Sequence, residues 1–356
     1  MKCKLSDICE YAKGKINVDM LNDKNYISTE NMVPNKGGIT NATALPNVAQ
    51  TQAFLANDVL VSNIRPYFKK IWFAKFDGGC SNDVLVFRAK GGVSSSFLYY
   101  ILANDTFFDY SMTTSKGTKM PRGDKDAIMK YVVPQFTYME QEKIASILRS
   151  LDDKIELNNK INENLQQQAQ AIYVSMFIIN ADPSWQTGHL SDLVIVKYGK
   201  DHKKLADGNF PVYGSGGIMR YVEHSLYDKE SVLIPRKGTL NNVIYVNQPF
   251  WSVDTMFYTE MRLPNVAKFV YHFVKSKDLA SMNAGSAVPS MTTDILNAME
   301  VVIPSAASLE EFEGIVSPMY KEMQENDKQS TTLGKLRDAL LPKLMSGEID
   351  VSSIKI

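Results

Sequence analysis

The chain has 356 residues, 44% hydrophobic and 22% charged, the balance of a folded protein of two or three domains and not of a disordered one. Its 39 basic and 39 acidic residues cancel, so no bulk positive field draws it to nucleic acid, and any phosphate-binding surface has to come from local clusters. Cys3, Cys9 and Cys80 lack regular spacing, which argues against a disulfide framework; with no signal-like apolar start and no run of spanning length, a cytoplasmic location is expected.

Taken in chain order, the sequence repeats itself. Leu5, Ser6 and Asp7 open a stretch rich in β-branched and aromatic residues, with its clearest strand at 58–65. A small-residue loop ending in proline follows at 117–121, then a short apolar segment from Tyr131 to Pro134. Thr137 and Glu140 have capping-box spacing, in which hydroxyl and carboxylate each satisfy a free backbone N–H at a helix start. The helix beyond carries Ile144, Leu148, Leu151, Ile155, Asn158, Asn162, Leu165, Ala169, Ile172 and Met176. Their spacing alternates between four and three, a coiled-coil seam.

The second half runs the same course. Leu190, Ser191 and Asp192 repeat the tripeptide, 230–236 repeats the strand, 285–289 the loop, and Val301 to Pro304 the apolar segment. Ser308 and Glu311 have the capping-box spacing again. A seam follows through Phe312, Val316, Met319, Met323, Asn326, Ser330, Leu333, Arg337, Leu340 and Leu344, matching the first at a shift of 168. Asn158 pairs with Asn326 and Asn162 with Ser330, so the polar break recurs in register; Ala169 against Arg337 is the mismatch. Each seam is about 50 Å long at 1.5 Å per residue, too long for a helix lying on its own domain. The two helices are therefore expected to pack on each other, antiparallel and about a pseudo-twofold axis, with Asn158 and Asn326 fixing register. Pro318, Gly334 and Pro342 predict a kinked or shortened second helix.

These segments bring a family into view. Glu140–Lys160 resembles the central conserved region of Type I restriction-modification specificity subunits, and Leu336–Ile349 resembles their distal conserved region. Pro211–Ile218, Arg236–Val243 and Phe250–Thr255 look like parts of their target-recognition domains. The resemblance implies an α+β protein of two target-recognition domains, about 1–135 and 181–306, each followed by a long helix, 136–180 and 307–356. It also implies a non-catalytic subunit that recognises a bipartite duplex DNA target and docks two methyltransferase (modification) subunits, with room for restriction or translocase subunits in the same complex. The first half lacks a counterpart of Trp185, and Asn63–Pro66 stands where the second half has its glycine-bearing loop at Arg236. The halves are thus expected to read different sequences.

Catalytic motifs are missing. The Gly-Lys pairs at Gly14, Gly199 and Gly334 are followed by Ile16, Asp201 and Leu336, not by the Ser or Thr of a phosphate loop. Asp182–Trp185 approaches an amino-methyltransferase loop but lacks the second proline, and reads as a linker between helix and next domain. Gly214–Gly217 reads as a tight turn or a close approach to DNA backbone, not as a cofactor loop. Asp152, Asp153 and Lys154 resemble nuclease carboxylates, and are expected on a solvated helix face. His189, His202, His224 and His272 have no metal-ligand spacing. No cofactor and no metal are expected. The alternatives are a solitary DNA methyltransferase or nuclease, or a non-enzymatic coiled-coil structural protein.

DNA phosphates need Arg, Lys or backbone N–H donors, and base edges need polar side chains that reach a groove. In the first half these are offered by Asn63, Arg65, Lys69 and Lys70 in one turn-forming segment, and by Lys116, Lys119 and Arg122 in another. In the second half they are Tyr213, Ser215 and Arg220, then Arg236, Lys237, Thr239, Asn241 and Asn242, and Ser286.

Overall fold

The computed structural model describes residues 2–282, 290–352 and 354. It divides into two units, the first made of 1–157 and 328–356 and the second of 158–327.

The first unit opens with β1 (Lys2–Lys4) and the single turn α1 (Leu5–Ile8). Asp7 accepts a 2.7 Å hydrogen bond from the Lys4 N–H, closing the turn, while Leu5 is fully buried. That is the task of the Leu-Ser-Asp tripeptide: an acid at the third helical position satisfies a free N–H, and the leucine anchors the turn. Strands β2 (Cys9–Tyr11), β3 (Lys15–Asn17), β4 (Tyr26–Ile27), β5 (Gln50–Phe54), β6 (Val59–Ser62), β7 (Ile71–Phe73), β8 (Gly78–Cys80) and β9 (Val84–Ala89) follow. They form two sheets, ordered β2-β9-β6-β7 and β3-β5-β8-β4. Strand alternation sends Val59, Val61, Leu85 and Phe87 into one core, and Leu60, Val84 and Val86 into another on the opposite face. Helices α2 (Ser95–Ala103), α3 (Asp105–Thr113) and α4 (Lys125–Ile128) come next, and α2 and α3 pack into the first of these cores. Strand β10 (Val132–Pro134) then returns to pair antiparallel with β1. It leads into α5 (Tyr138–Val174), whose start carries the expected capping box: Thr137 N–H donates to Glu140 at 2.7 Å, and Glu140 N–H to Thr137 Oγ1 at 3.4 Å.

The second unit repeats this plan. It contains β11 (Gln186–His189), α6 (Leu190–Leu193), β12 (Val194–Tyr198), β13 (Asp207–Gly214), β14 (Gly217–Val222), β15 (Ser231–Pro235), β16 (Ile244–Val246), β17 (Trp251–Ser252) and β18 (Met256–Met261). Then come α7 (Ala267–Lys275), α8 (Thr293–Asn297), β19 (Glu300–Ile303) and α9 (Ala306–Ser346). Asp192 closes α6 through the His189 N–H at 2.8 Å, and β19 pairs with β11 as β10 does with β1. The main sheet, β12-β18-β15-β16, has the order of its counterpart, and its strands again split their side chains between two cores. The other sheet has three strands, β14-β13-β17.

The second long helix departs from expectation in its cap, and of the kink or shortening expected along it, shortening does not occur. Its cap is Ser305, whose hydroxyl accepts from the Ser308 N–H at 3.2 Å, so Ser308 lies inside the helix and the Ser308–Glu311 box does not form. Nor is the helix shortened: 41 residues run through Pro318, Gly334 and Pro342. A proline costs a helix one hydrogen bond and some crowding, and burial of Phe312, Val316 and Tyr320 on either side of Pro318 offsets that cost.

The helices pair antiparallel. In the first unit Ile144, Ala145 and Leu148 of α5 share a core with Leu341, Leu344 and Met345 of α9. In the second, Ala169, Tyr173 and Phe177, from α5 and the turn just beyond it, meet Phe312, Val316 and Tyr320. The residues between these contacts, Leu151, Ile155, Leu165 and Leu333, are half-buried. Ile172, Met176, Met319 and Met323 pack around the second core, and Leu340 around the first. The polar break is a cluster in the second unit: fully buried Asn158 donates to the Asn326 carbonyl at 3.4 Å, and the Asn326 amide donates to Asn162 Oδ1 at 2.9 Å. Asn162 in turn donates to Asp327 at 2.8 Å.

A matching polar clasp joins each sheet-packed helix to the long pair. Phe97 to Leu102 of α2 reads like Phe269 to Val274 of α7, which aligns Tyr100 with His272. The Tyr100 hydroxyl donates to Asp152 of α5 at 2.8 Å, and Arg337 of α9 binds the same carboxylate at 2.7 Å. In the second unit His272 Nε2 meets the Tyr320 hydroxyl of α9 at 2.9 Å, and its Nδ1 meets Gln170 of α5 at 2.7 Å. Asp152 and Tyr320 occupy equivalent seam registers, 168 residues apart. Asp152 is therefore no part of a solvated face as expected; only Asp153 and Lys154 of that trio are exposed. Arg337, the mismatch in the seam, is the cation that answers it.

Candidate nucleic-acid interface

In the first unit the two basic segments singled out in the sequence meet. The Arg65 N–H donates to the Pro121 carbonyl at 2.8 Å, the Gly123 N–H to the Asn63 carbonyl at 3.3 Å, and Ile64 bridges to Arg122. Gly123 permits this approach, since a Cβ there would lie 2.9 Å from Asn63 Oδ1 and 2.8 Å from Ser111 Oγ. Asn63 is 8% exposed, and its Oδ1, like Arg65 Nε, is buried without a hydrogen-bond partner among the described residues. Buried polar atoms left unsatisfied cost about 1–3 kcal/mol each, so a ligand that satisfied them would gain that back.

The other cations are mostly engaged. Lys69 and Lys36 both bind Asp105 at 2.9 Å. Burial pushes that carboxyl up, but the two ammonium groups outweigh it and hold it below the ordinary carboxylate range. Lys70 donates to the Thr29 carbonyl at 2.6 Å, and burial lowers its ammonium below the usual value. Lys116 pairs with Asp124 at 2.5 Å and Arg122 with Asp83 at 3.0 Å, while Lys119 is exposed and makes no ion pair among the described residues. Three acids answer four of these cations, and among the described residues Arg65, Lys70 and Lys119 are left without a carboxylate partner.

The second unit also joins its two loops. Residues Ser215 and Gly216 form the two-residue tip of the β13–β14 hairpin, with Gly217 at φ +108°. The Asn242 amide donates to the Ser215 carbonyl at 2.8 Å, and a Cβ on Gly238 (φ +87°) would sit 2.8 Å from Ser215 Oγ. Arg236 lies over the Tyr198 ring at 5.3 Å and donates to the Asp254 carbonyl at 3.2 Å; Lys237 and Thr239 are exposed beside it. Three residues expected to face DNA are otherwise committed. Tyr213 is buried against Phe250, in the same core as its neighbour Val212, where the β13–β14 register shifts between the two. Arg220 is held by Asp207 at 2.9 Å and the Leu205 carbonyl at 2.8 Å. Asn241 braces the loop after α7, donating to Asp278 and accepting from the Ala280 N–H, both at 3.0 Å. Ser286 lies outside the described residues.

A family model for the Type I restriction modification DNA specificity domain matches residues 1–167 and 183–329. The chain belongs to the Type I restriction-modification DNA specificity family. The specificity subunit of Type I restriction enzyme MjaIX from Methanocaldococcus jannaschii is 24% identical over 309 residues, 74% of this chain and 71% of its own. That of HindI from Haemophilus influenzae is 22% identical across 97% of this chain and 100% of its own length. The crystal structure of a Type-I restriction-modification system S subunit from M. genitalium aligns with a TM-score of 0.61 and 19% identity, over 97% of this chain and 96% of that one, a likeness of fold. As a Type I specificity subunit the chain is the DNA-recognising member of its system and not a catalytic one. Among the described residues no His, Cys, Asp and Glu group is placed to hold a metal, and no helix is long and apolar enough to cross a membrane.

The sequence points to 63–70 through its polar, basic and turn-forming residues and not through Tyr67 and Phe68, because residue type alone does not report the exposure of a ring. In the structure the two residues are 48% and 37% exposed.

Proposed function

We propose that this subunit reads a bipartite duplex target in the cytoplasm, one half-site with each recognition domain (about 1–135 and 181–306), and docks two methyltransferase subunits through the long helices (about 136–180 and 307–356). The observation that carries this reading is the recurrence of two joined polar loops in each half of a duplicated fold. The loops differ in chemistry, Asn63 and Arg65 with Lys119 in one half, and Ser215 with Arg236, Lys237, Thr239 and Asn242 in the other. Only the loops after β6 and β15 stand at equivalent places, and they carry different groups, Asn63 and Arg65 against Arg236, Lys237, Thr239 and Asn242, which favours the reading of different bases.

The test is methylation of target libraries by the assembled complex. Arg65→Ala or Lys119→Ala should change the sequence or efficiency of one half-site, and Arg236→Ala or Lys237→Ala that of the other. A base-reading contact is worth roughly 1–3 kcal/mol, a phosphate contact less and without sequence preference. If all four substitutions left motif and efficiency untouched, these loops would not be the reading surface.

A further inference from the structure

The turn Pro66–Phe68 is held unusually firmly for a surface loop. Arg65 and Lys69, on either side, are both left-handed at φ 49° and 51°, as are Asn35 and Lys36 opposite them at 56° and 62°. None of the four is glycine, and such residues persist only where neighbours over-determine the conformation. The neighbours are present. Phe68 N–H donates to the Arg65 carbonyl and Lys69 N–H to that of Pro66, at 2.9 and 2.8 Å. Asn35 and Lys36 donate their N–H groups to the Phe68 and Lys69 carbonyls at 2.8 and 2.9 Å. Asp105 ties Lys36 and Lys69 together from a third segment.

What this frame presents is a pair of aromatic rings. Tyr67 and Phe68 lie with centroids 4.6 Å apart and both open to solvent. Large apolar groups on a surface call for an occupant, and the surroundings indicate its charge. Arg65 precedes the rings without a carboxylate partner among the described residues, Lys70 follows them, and its ammonium lies 5.9 Å from the Phe68 ring. Exposed Met120 and Lys119 adjoin Pro121, to which Arg65 is bonded. Rings flanked by cations fit a polyanion with stacked aromatic bases better than an apolar protein face. The corresponding loop of the second unit has no ring: Thr239 is exposed and Leu240 is buried.

We infer that Tyr67 and Phe68 form a wedge that enters the base stack at the half-site read by the first unit and unstacks one step there, with no equivalent wedge in the second unit's recognition loop. The inference rests on the DNA-reading function proposed above. Apolar and aromatic side chains pushed between base steps kink a duplex at the cost of stacking, and an opened step lowers the cost of extruding a base for a modifying enzyme.

The experiment uses the full chain assembled with its methyltransferase subunits and a duplex carrying 2-aminopurine at successive positions of each half-site. Its fluorescence rises when it is unstacked. The expected result is a several-fold rise confined to the first half-site, abolished by Tyr67→Ala with Phe68→Ala and restored by Tyr67→Phe alone. Affinity for the duplex should drop about tenfold in the double variant, the loss typical of one base–aromatic stack. No rise at any position of a footprinted first half-site refutes the wedge in the wild-type complex, whatever the variants do. A rise that survives the double substitution also refutes it, as does loss of the methyltransferase subunits with the fluorescence intact, which would make the rings a protein-docking surface. Absence of any footprint would instead overturn the DNA-reading function itself.

Discussion

Acidification from about pH 7.5 to 5 should cost the second unit about 2 kcal/mol of unfolding free energy through His272 alone. His272 is fully buried, bonded through both nitrogens to Gln170 and Tyr320, and stacked on Tyr173 at 5.5 Å. Burial, aided by the nearby Lys275 charge, brings its imidazole down to about 4. In the unfolded chain the group takes a proton near its ordinary value of about 6.5. The folded state binds its proton only about two and a half units lower, so falling pH favours unfolding across that window and levels off below it. The stabilising contribution is therefore complete above about 6.5 and is lost on the way to 4. Urea unfolding followed at several pH values checks this, with His272→Gln as the control that removes the titration. Parallel pH profiles for the two proteins would show that the clasp does not hold a neutral imidazole.

The clasp in the first unit should respond to charge removal. Arg337 and Asp152 have side chains only 20% and 25% exposed, and the carboxylate also accepts from Tyr100. Breaking a fully buried pair by deleting one partner costs about 3–5 kcal/mol, because the other charge is left without compensation. For this partly screened pair Arg337→Ala should cost roughly 2–3 kcal/mol. Once Arg337 is absent, Asp152→Ala should cost far less than it does in the intact chain. The two losses adding within about 0.5 kcal/mol would mean that the residues are not coupled.

Much of this architecture was legible in the sequence because the duplication wrote it twice. The tripeptides at Leu5 and Leu190, the strands at 58–65 and 230–236, and the recurring polar break at Asn158 and Asn326 all depend on local pattern, which periodicity reports directly. Long-range pairings leave no such trace. Asp152 looked like a solvated acid because helix spacing says nothing about a tyrosine 52 residues earlier or an arginine 185 residues later. Ser308 looked like a cap because a capping box is a spacing, and Ser305 after Pro304 competes with it. The heptad seam steps by three from Ala169 to Ile172, whereas the buried face follows steps of four to Tyr173 and Phe177, with Ile172 and Met176 packed at its edge. At the candidate interface, residue type identified the loops, but not which cations were already paired. Lys69, Lys116, Arg122 and Arg220 all meet acids that lie elsewhere in their unit.

The central claim is that the duplicated halves read separate half-sites of one target. The most direct measurement is a genome-wide methylation map of cells carrying this chain with its methyltransferase subunits, repeated with residues 181–306 replaced by those of another family member. The account predicts a motif of two short specific blocks separated by unspecified bases, with the exchange altering one block and leaving the other intact. A single uninterrupted motif, or an exchange that rewrote both blocks together, would contradict it.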